Sequence, residues 1–163
     1  MSGSRIHGET NVEHASGPHS DDAVHVTVLA FEPGVTYRSR DHPCARCVWR
    51  TDTDLTAASD HDMDLLARAN GSLRELATFE DPVVNCSLEQ PDGARPLPWC
   101  AGWLAVIGQH HLAVHLAIAV KALRHGTLAP LDTWPRLYPN LEALLEAREE
   151  QLHRRPAGRE RRA

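Results

Sequence analysis

The sequence predicts a mainly α domain with a small β component, an α+β fold organised as a compact single domain around a four-cysteine site. Three observations carry that expectation. Apolar residues recur at spacings of three and four over residues 98–125 and again from Leu141 to Leu152, which is the period of a helix with one buried face. Short alternating or β-branched pieces stand at 24–31 and at Val83-Val84. Cys44, Cys47, Cys86 and Cys100 are the only cysteines of the 163 residues, and Trp49, Trp99 and Trp103 each lie within three residues of one of them.

Residues 1–23 are rich in Gly, Ser, His and Asp and show almost no apolar periodicity. They cannot bury enough surface to offset ordering entropy, so they read as a disordered tail. From 24 to 31, Val24, Val26 and Val28 alternate before Leu29, and the Pro33-Gly34 turn signal ends a short strand. Residues 41–50, DHPCARCVWR, hold a CxxC pair after a proline. Such a knuckle aims both sulfurs at one ion while its backbone N–H groups donate to them and favour the ionised form. A redox dithiol would open a helix inside a βαβ unit, and the polar run 51–54 with no strong preceding strand offers no such setting.

Residues 60–70 read as a helix with Ser59 or Asp60 as cap, Met63, Leu66 and Ala67 at helical spacing, and Asn70-Gly71 as the stop. Asp60, Asp62 and Asp64 beside His61 are expected as a solvated cap complementing the helix dipole rather than as a hydrolytic cluster. A further helical turn is predicted over 72–79. Asp81-Pro82 then breaks the pattern, Val83-Val84 leads into Cys86 as an extended piece, and the proline-rich run 90–98 is a loop.

Trp99-Cys100 opens the longest apolar region, through Trp103, Leu104, Val106 and Ile107 to Leu112, Leu116, Ala119, Val120 and Leu123, with Gly108 as the point that divides it into two helices. Cys100 falls in a first turn, where unpaired N–H groups stabilise a thiolate. His111 and His115, four apart, share a face, but no Glu completes HExxH, so they and His110 are expected to be structural residues on a polar face. An accessory metal or pH-sensitive role is the second reading. His42, two residues before Cys44, is an outer-shell candidate. After a turn at 128–132, Trp134 and Tyr138 are expected on the core. Leu141, Leu144, Leu145 and Leu152 mark a last helix ending near His153, whose Glu142, Glu146, Glu149 and Arg148 read as a solvated face. The segment 154–163 holds five arginines and reads as a basic disordered tail, leaving 24–153 as one metal-binding domain.

Four thiolates can close a tetrahedral metal site, and the three tryptophans form a shielding shell around it. Zinc is the first expectation and a 4Fe-4S cluster the alternative, because both accept four cysteine sulfurs. No run of about 18 apolar residues predicts a membrane span, and the first thirty residues lack a basic segment followed by an apolar one. The expected compartment is therefore the cytoplasm, where an even cysteine count means metal or redox chemistry; two disulfides are the rival for a secreted chain. The formal net charge of -5 gives no general attraction to nucleic acid. A closed four-sulfur site has no open position for substrate, which disfavours an enzyme. The expectation is a small cytoplasmic four-cysteine metal-binding protein, its site mainly structural, acting as a regulatory or interaction module. Its partner would be another protein, or nucleic acid through the arginine tail. The alternative is an iron-sulfur redox sensor or transcriptional regulator.

At the residues CVWR and CAGW the chain resembles a family of unknown function from actinobacteria and their phages, marked by CxxCPWR, a Cys-containing middle segment and CAGW opening a helix. The likeness spans 43–145 and includes the later Leu137-Tyr138 pair. Val48 stands where that pattern has proline, and Ser87 follows Cys86 where histidine is expected. The resemblance implies a shared fold and a shared metal site, and it supplies no activity.

Overall fold

Ser59 starts the first helix and Asp62 locks it. In a computed structural model, residues 24–27, 34–70, 82–88 and 97–155 are described. Helix α1 spans Asp60–Arg68; the Ser59 hydroxyl accepts from the Asp62 N–H at 3.1 Å, and the Asp62 carboxylate accepts from the Ser59 N–H at 2.7 Å. This reciprocal box satisfies donors that the first turn cannot pair internally. The other Asp62 oxygen accepts from the Val24 N–H at 3.1 Å. The carboxylate is therefore buried, only 3% exposed, and not part of a solvated cap as the sequence suggested; its hydrogen bonds make that burial possible. Asp62→Ala is expected to cost about 2–3 kcal/mol, by loss of the box and by orphaning the Val24 N–H. Urea denaturation measures it, and a change under about 0.5 kcal/mol would contradict the assignment.

Strands β1 (His25–Thr27) and β2 (Val83–Asn85) pair antiparallel, Val26 opposite Val84. Two further extended pieces continue the ladder. The Cys86 N–H donates to the Pro98 carbonyl at 2.9 Å and the Cys100 N–H to the Val84 carbonyl at 2.9 Å, so residues 98–100 lie beside β2. Residues 38–40 lie beside them in turn, through Trp99 N–H to Arg38 O at 2.8 Å and Arg40 N–H to Trp99 O at 3.1 Å. The order across this ribbon, β1, β2, 98–100, 38–40, brings distant cysteine loops to neighbouring positions.

The long apolar region divides at Gly108, as its sequence allows. Helix α2 covers Ala101–Val106, a 3₁₀ turn covers Gly108–His110, and helix α3 covers Leu112–Ala119. At Gly108 a side chain would meet Leu128 Cδ2 at 2.9 Å, so the close packing of that leucine favours glycine there. His111 caps α3 and is completely buried, with its ring edge-on to Trp103 at 5.1 Å, whereas His115 is exposed and bonds through Nε2 to the Gln109 carbonyl at 2.7 Å. The shared polar face predicted for the pair does not exist, because His111 precedes the helix and turns into the core.

Helix α4, Leu141–Arg154, is capped by Asn140, whose side chain accepts from the Ala143 N–H at 2.8 Å. It buries Leu141 and Leu144. Gln151 on α4 accepts from the Leu55 N–H at 2.8 Å, and Arg148 reaches Ala58 O at 3.0 Å and Asp60 at 2.7 Å. Arg148 thus ties α4 to the start of α1 instead of serving only α4's own glutamates. The core centres on fully buried Trp49, Trp99, Trp103, Leu55, Leu66, Leu104 and Leu144. The predicted turn at 72–79, the strand's continuation over 28–31 and the segments 1–23 and 156–163 lie outside the described residues. Among the described residues, no helix is long and apolar enough to cross a membrane.

Candidate metal centre

The four cysteines reach the interior from three local devices. Cys44 and Cys47 sit on consecutive turns, with Cys47 N–H bonded to Cys44 O at 3.1 Å and Arg50 N–H to Cys47 O at 3.0 Å. Cys86 leaves the end of β2, and Cys100 caps α2. All four are buried free thiols, between 2% and 8% exposed.

The Cys47 and Cys100 sulfurs are 3.6 Å apart, and the four thiols influence one another's ionisation in the order Cys86, Cys44, Cys47, Cys100. The Cys44 thiol is pulled down to about 2, chiefly because the Cys47 and Cys86 thiols donate to it, with help from the Arg46 N–H and the charge of Arg40. Cys47 is pushed well up by donating to Cys100 and Cys44 and by burial. Cys86 is pushed up by donating to Cys44 and by burial. Cys100 is lowered, first by the Cys47 thiol and then, against burial, by the N–H groups of Trp103 and Gly102. Two sulfurs are therefore disposed to carry charge and two to keep protons. Four thiolates this close in a dry pocket would repel strongly unless protons or a cation intervened.

Every sulfur also receives backbone support from the residue two positions on: Arg46 for Cys44, Trp49 for Cys47, Leu88 for Cys86 and Gly102 for Cys100. The knuckle reading anticipated such donors at the CxxC pair. They extend to the two single cysteines. No N–H to Cys100 sulfur bond of ordinary length is present at α2's cap, and the influence of Trp103 and Gly102 is that of longer contacts to a large, soft acceptor. As they stand, no three or more His, Cys, Asp or Glu side chains among the described residues are arranged to hold a metal ion.

The three tryptophans are at most 2% exposed. Trp99 packs edge-on to Trp103 at 6.3 Å and against Tyr37 at 5.1 Å, and the Trp103 indole N–H donates to Ala69 O at 3.0 Å. Trp49 lies beside Gly102, and its carbonyl accepts from the Tyr138 N–H at 2.9 Å. His42 is exposed and its ring faces half-buried Trp134 at 6.2 Å, so its visible partner is an indole and not a sulfur.

Residues 39–162 match a family of unknown function, DUF6283. The chain belongs to that family. No curated protein and no solved structure matches it. Membership agrees with the resemblance to a family of unknown function and leaves chemistry to be argued from this member's own residues.

Two contributors escaped the sequence reading. Gly102 lets the CAGW turn lie against the knuckle, since a Cβ there would be 2.7 Å from Cys47 Sγ and 2.9 Å from Trp49 Cβ. Its signal was present as the glycine of CAGW, the residue type that carries no Cβ. Arg40 acts through its charge on Cys44, and nothing in the local spacing marked it.

Proposed function

We propose that this DUF6283 member is a four-cysteine metal-binding protein in which Cys44, Cys47, Cys86 and Cys100 hold one tetrahedral ion, zinc foremost, and that the site is mainly structural within a regulatory or interaction module. The observation that carries the reading is the 3.6 Å contact between the buried Cys47 and Cys100 sulfurs, with buried Cys44 and Cys86 near enough to shift their neighbours' ionisation. Backbone N–H groups favour the ionised form of each sulfur, as a metal thiolate requires. The 3.6 Å between Cys47 and Cys100 is also close to the edge of a tetrahedron with bonds of about 2.3 Å, roughly 3.8 Å. Loading requires Cys47 and Cys86 to release their protons and the sulfurs to draw toward a common centre. Affinity should therefore fall as pH is lowered. When bound, zinc cross-links three chain segments and offers no open coordination position, which is why a non-enzymatic role is favoured.

An iron-sulfur sensor or transcriptional regulator is the second reading. It is less compatible with Cys47 and Cys100 sulfurs 3.6 Å apart, because a four-iron cluster occupies the space between its cysteines. A reducing, cytoplasmic setting belongs to the proposal, since it keeps the thiols available. The partner is a protein, or nucleic acid through the arginines following α4.

Protein purified with and without oxygen is tested by elemental analysis and visible spectroscopy. The expected result is one zinc per chain and no colour. Visible absorption with iron and sulfide would replace zinc by a cluster. Reduced protein that takes up neither metal would end the proposal.

A further inference from the structure

Cys47 and Cys100 stand 53 positions apart in the chain, yet their sulfurs are 3.6 Å from one another and both thiols are free. Bonded sulfurs stand about 2.05 Å apart, so an approach of roughly 1.5 Å separates this pair from a disulfide. Their two segments are already in place. A Cβ on Gly102 would meet Cys47 Sγ at 2.7 Å, which puts the first turn of α2 directly against the knuckle. The Cys100 N–H is tied to Val84 O at 2.9 Å and the Cys47 N–H to Cys44 O at 3.1 Å, so neither sulfur has to be carried in from elsewhere. A bond between Cys44 and Cys47 would link one turn to itself, whereas one between Cys47 and Cys100 fastens two distant segments.

Access selects the oxidant. Cys47 and Cys100 are buried, and the rings of Trp49, Trp99 and Trp103 around the same core are at most 2% exposed. A bulky disulfide reagent would have to seat itself against sulfurs at this depth; hydrogen peroxide, little larger than water, needs only a small local opening. We propose that Cys47 and Cys100 form a reversible disulfide in response to hydrogen peroxide, fastening the knuckle to the start of α2. One sulfur gives up its proton and attacks a peroxide oxygen; the O–O bond breaks, leaving a sulfenic acid and water. The second sulfur attacks the first, the S–O bond breaks, and the oxygen leaves as a second water. Two thiols and one peroxide thus yield one disulfide and two waters, with two electrons passing from sulfur to oxygen. The disulfide also takes two of the four ligands of the metal site proposed above, so oxidation and zinc exclude one another. This last effect rests on the metal reading; the linkage itself does not.

The full chain, reduced and carrying whatever metal it retains, is treated with hydrogen peroxide, alkylated and mapped by mass spectrometry. Trypsin at Arg46 and Arg50 and a glutamate-specific protease at Glu89 put each cysteine on its own peptide. The Cys47–Cys100 linkage should exceed any other by at least about tenfold, because the fold holds these sulfurs together, and dithiothreitol should reverse it. In guanidinium chloride the preference should pass to Cys44–Cys47, since chain entropy favours the shortest loop. A chelating dye added during the reaction reads zinc, whose release should keep step with the linkage. Cys44–Cys47 as the main product of the folded chain, or sulfinic acid without any linkage, would overturn the proposal. Zinc release without the Cys47–Cys100 bond would overturn it too and leave the metal reading standing. That bond in a chain that takes up no metal would sustain the proposal and remove only the metal reading.

Discussion

With the proposed four-sulfur metal site, Cys47→Ser is expected to abolish metal retention and to remove most of the domain's stability, on the order of 5 kcal/mol or more, because structural metal binding free energy is folding free energy. Cys47 is the critical position of the four. Its sulfur is 3.6 Å from that of Cys100, it bears on the ionisation of Cys44, and it is 3% exposed and lies under Gly102. Serine is smaller and binds soft cations poorly, so the variant loses a ligand and leaves a buried hydroxyl without an adequate partner. Three segments then lose their common anchor: the knuckle, the end of β2 and the start of α2. Near-ultraviolet circular dichroism, chemical denaturation and metal content read the effect together. A variant that keeps one equivalent of metal and unfolds at the parent's denaturant midpoint would show that the sulfurs are packing groups and nothing more.

Gly102→Ala is the second large effect, and its sign runs against propensity. In an ordinary helix the change would stabilise by up to about 1 kcal/mol, since alanine is the better helix former. Here the new Cβ would stand 2.7 Å from Cys47 Sγ and 2.9 Å from Trp49 Cβ. Neither neighbour is the free end of a long side chain. Trp49 is fully buried and fixed by the Tyr138 N–H at 2.9 Å, and the knuckle backbone is held by its own turns. Relief therefore requires the α2 turn and the knuckle to separate. We expect a loss of about 3 kcal/mol, at the upper end of overpacking costs, with weaker metal retention because Cys47 is displaced. Stabilisation by alanine would mean that the two segments are not in close contact.

Helix α1 was legible because its information is local: Ser59 precedes an apolar spacing of three, and Asp62 sits three residues on. Helix α4 was legible for the same reason, with Asn140 before Leu141 and Leu144. The division at Gly108 was visible, while the fate of His111 was not, since whether a histidine next to a break faces solvent depends on Trp103, eight positions earlier. Residues 38–40 carry no periodic signal. Their extended form comes from pairing with Trp99, a partner that local pattern cannot identify. The nearness of Cys86 and Cys100 has the same origin, because β2 and 98–100 are neighbours through backbone bonds that local pattern cannot reveal. The cysteines could be named from sequence, but the order of the ribbon that gathers them could not.

The backing of the knuckle has a consequence for synthesis. Thr51 Oγ bonds to the Arg136 carbonyl across 85 positions, and Trp49 accepts from Tyr138. Closing so long a span is entropically slow and is rewarded only at the end. On the ribosome, Cys44 and Cys47 are made long before Arg136 and Tyr138, so the nascent chain carries the thiol pair unsealed until that later segment arrives.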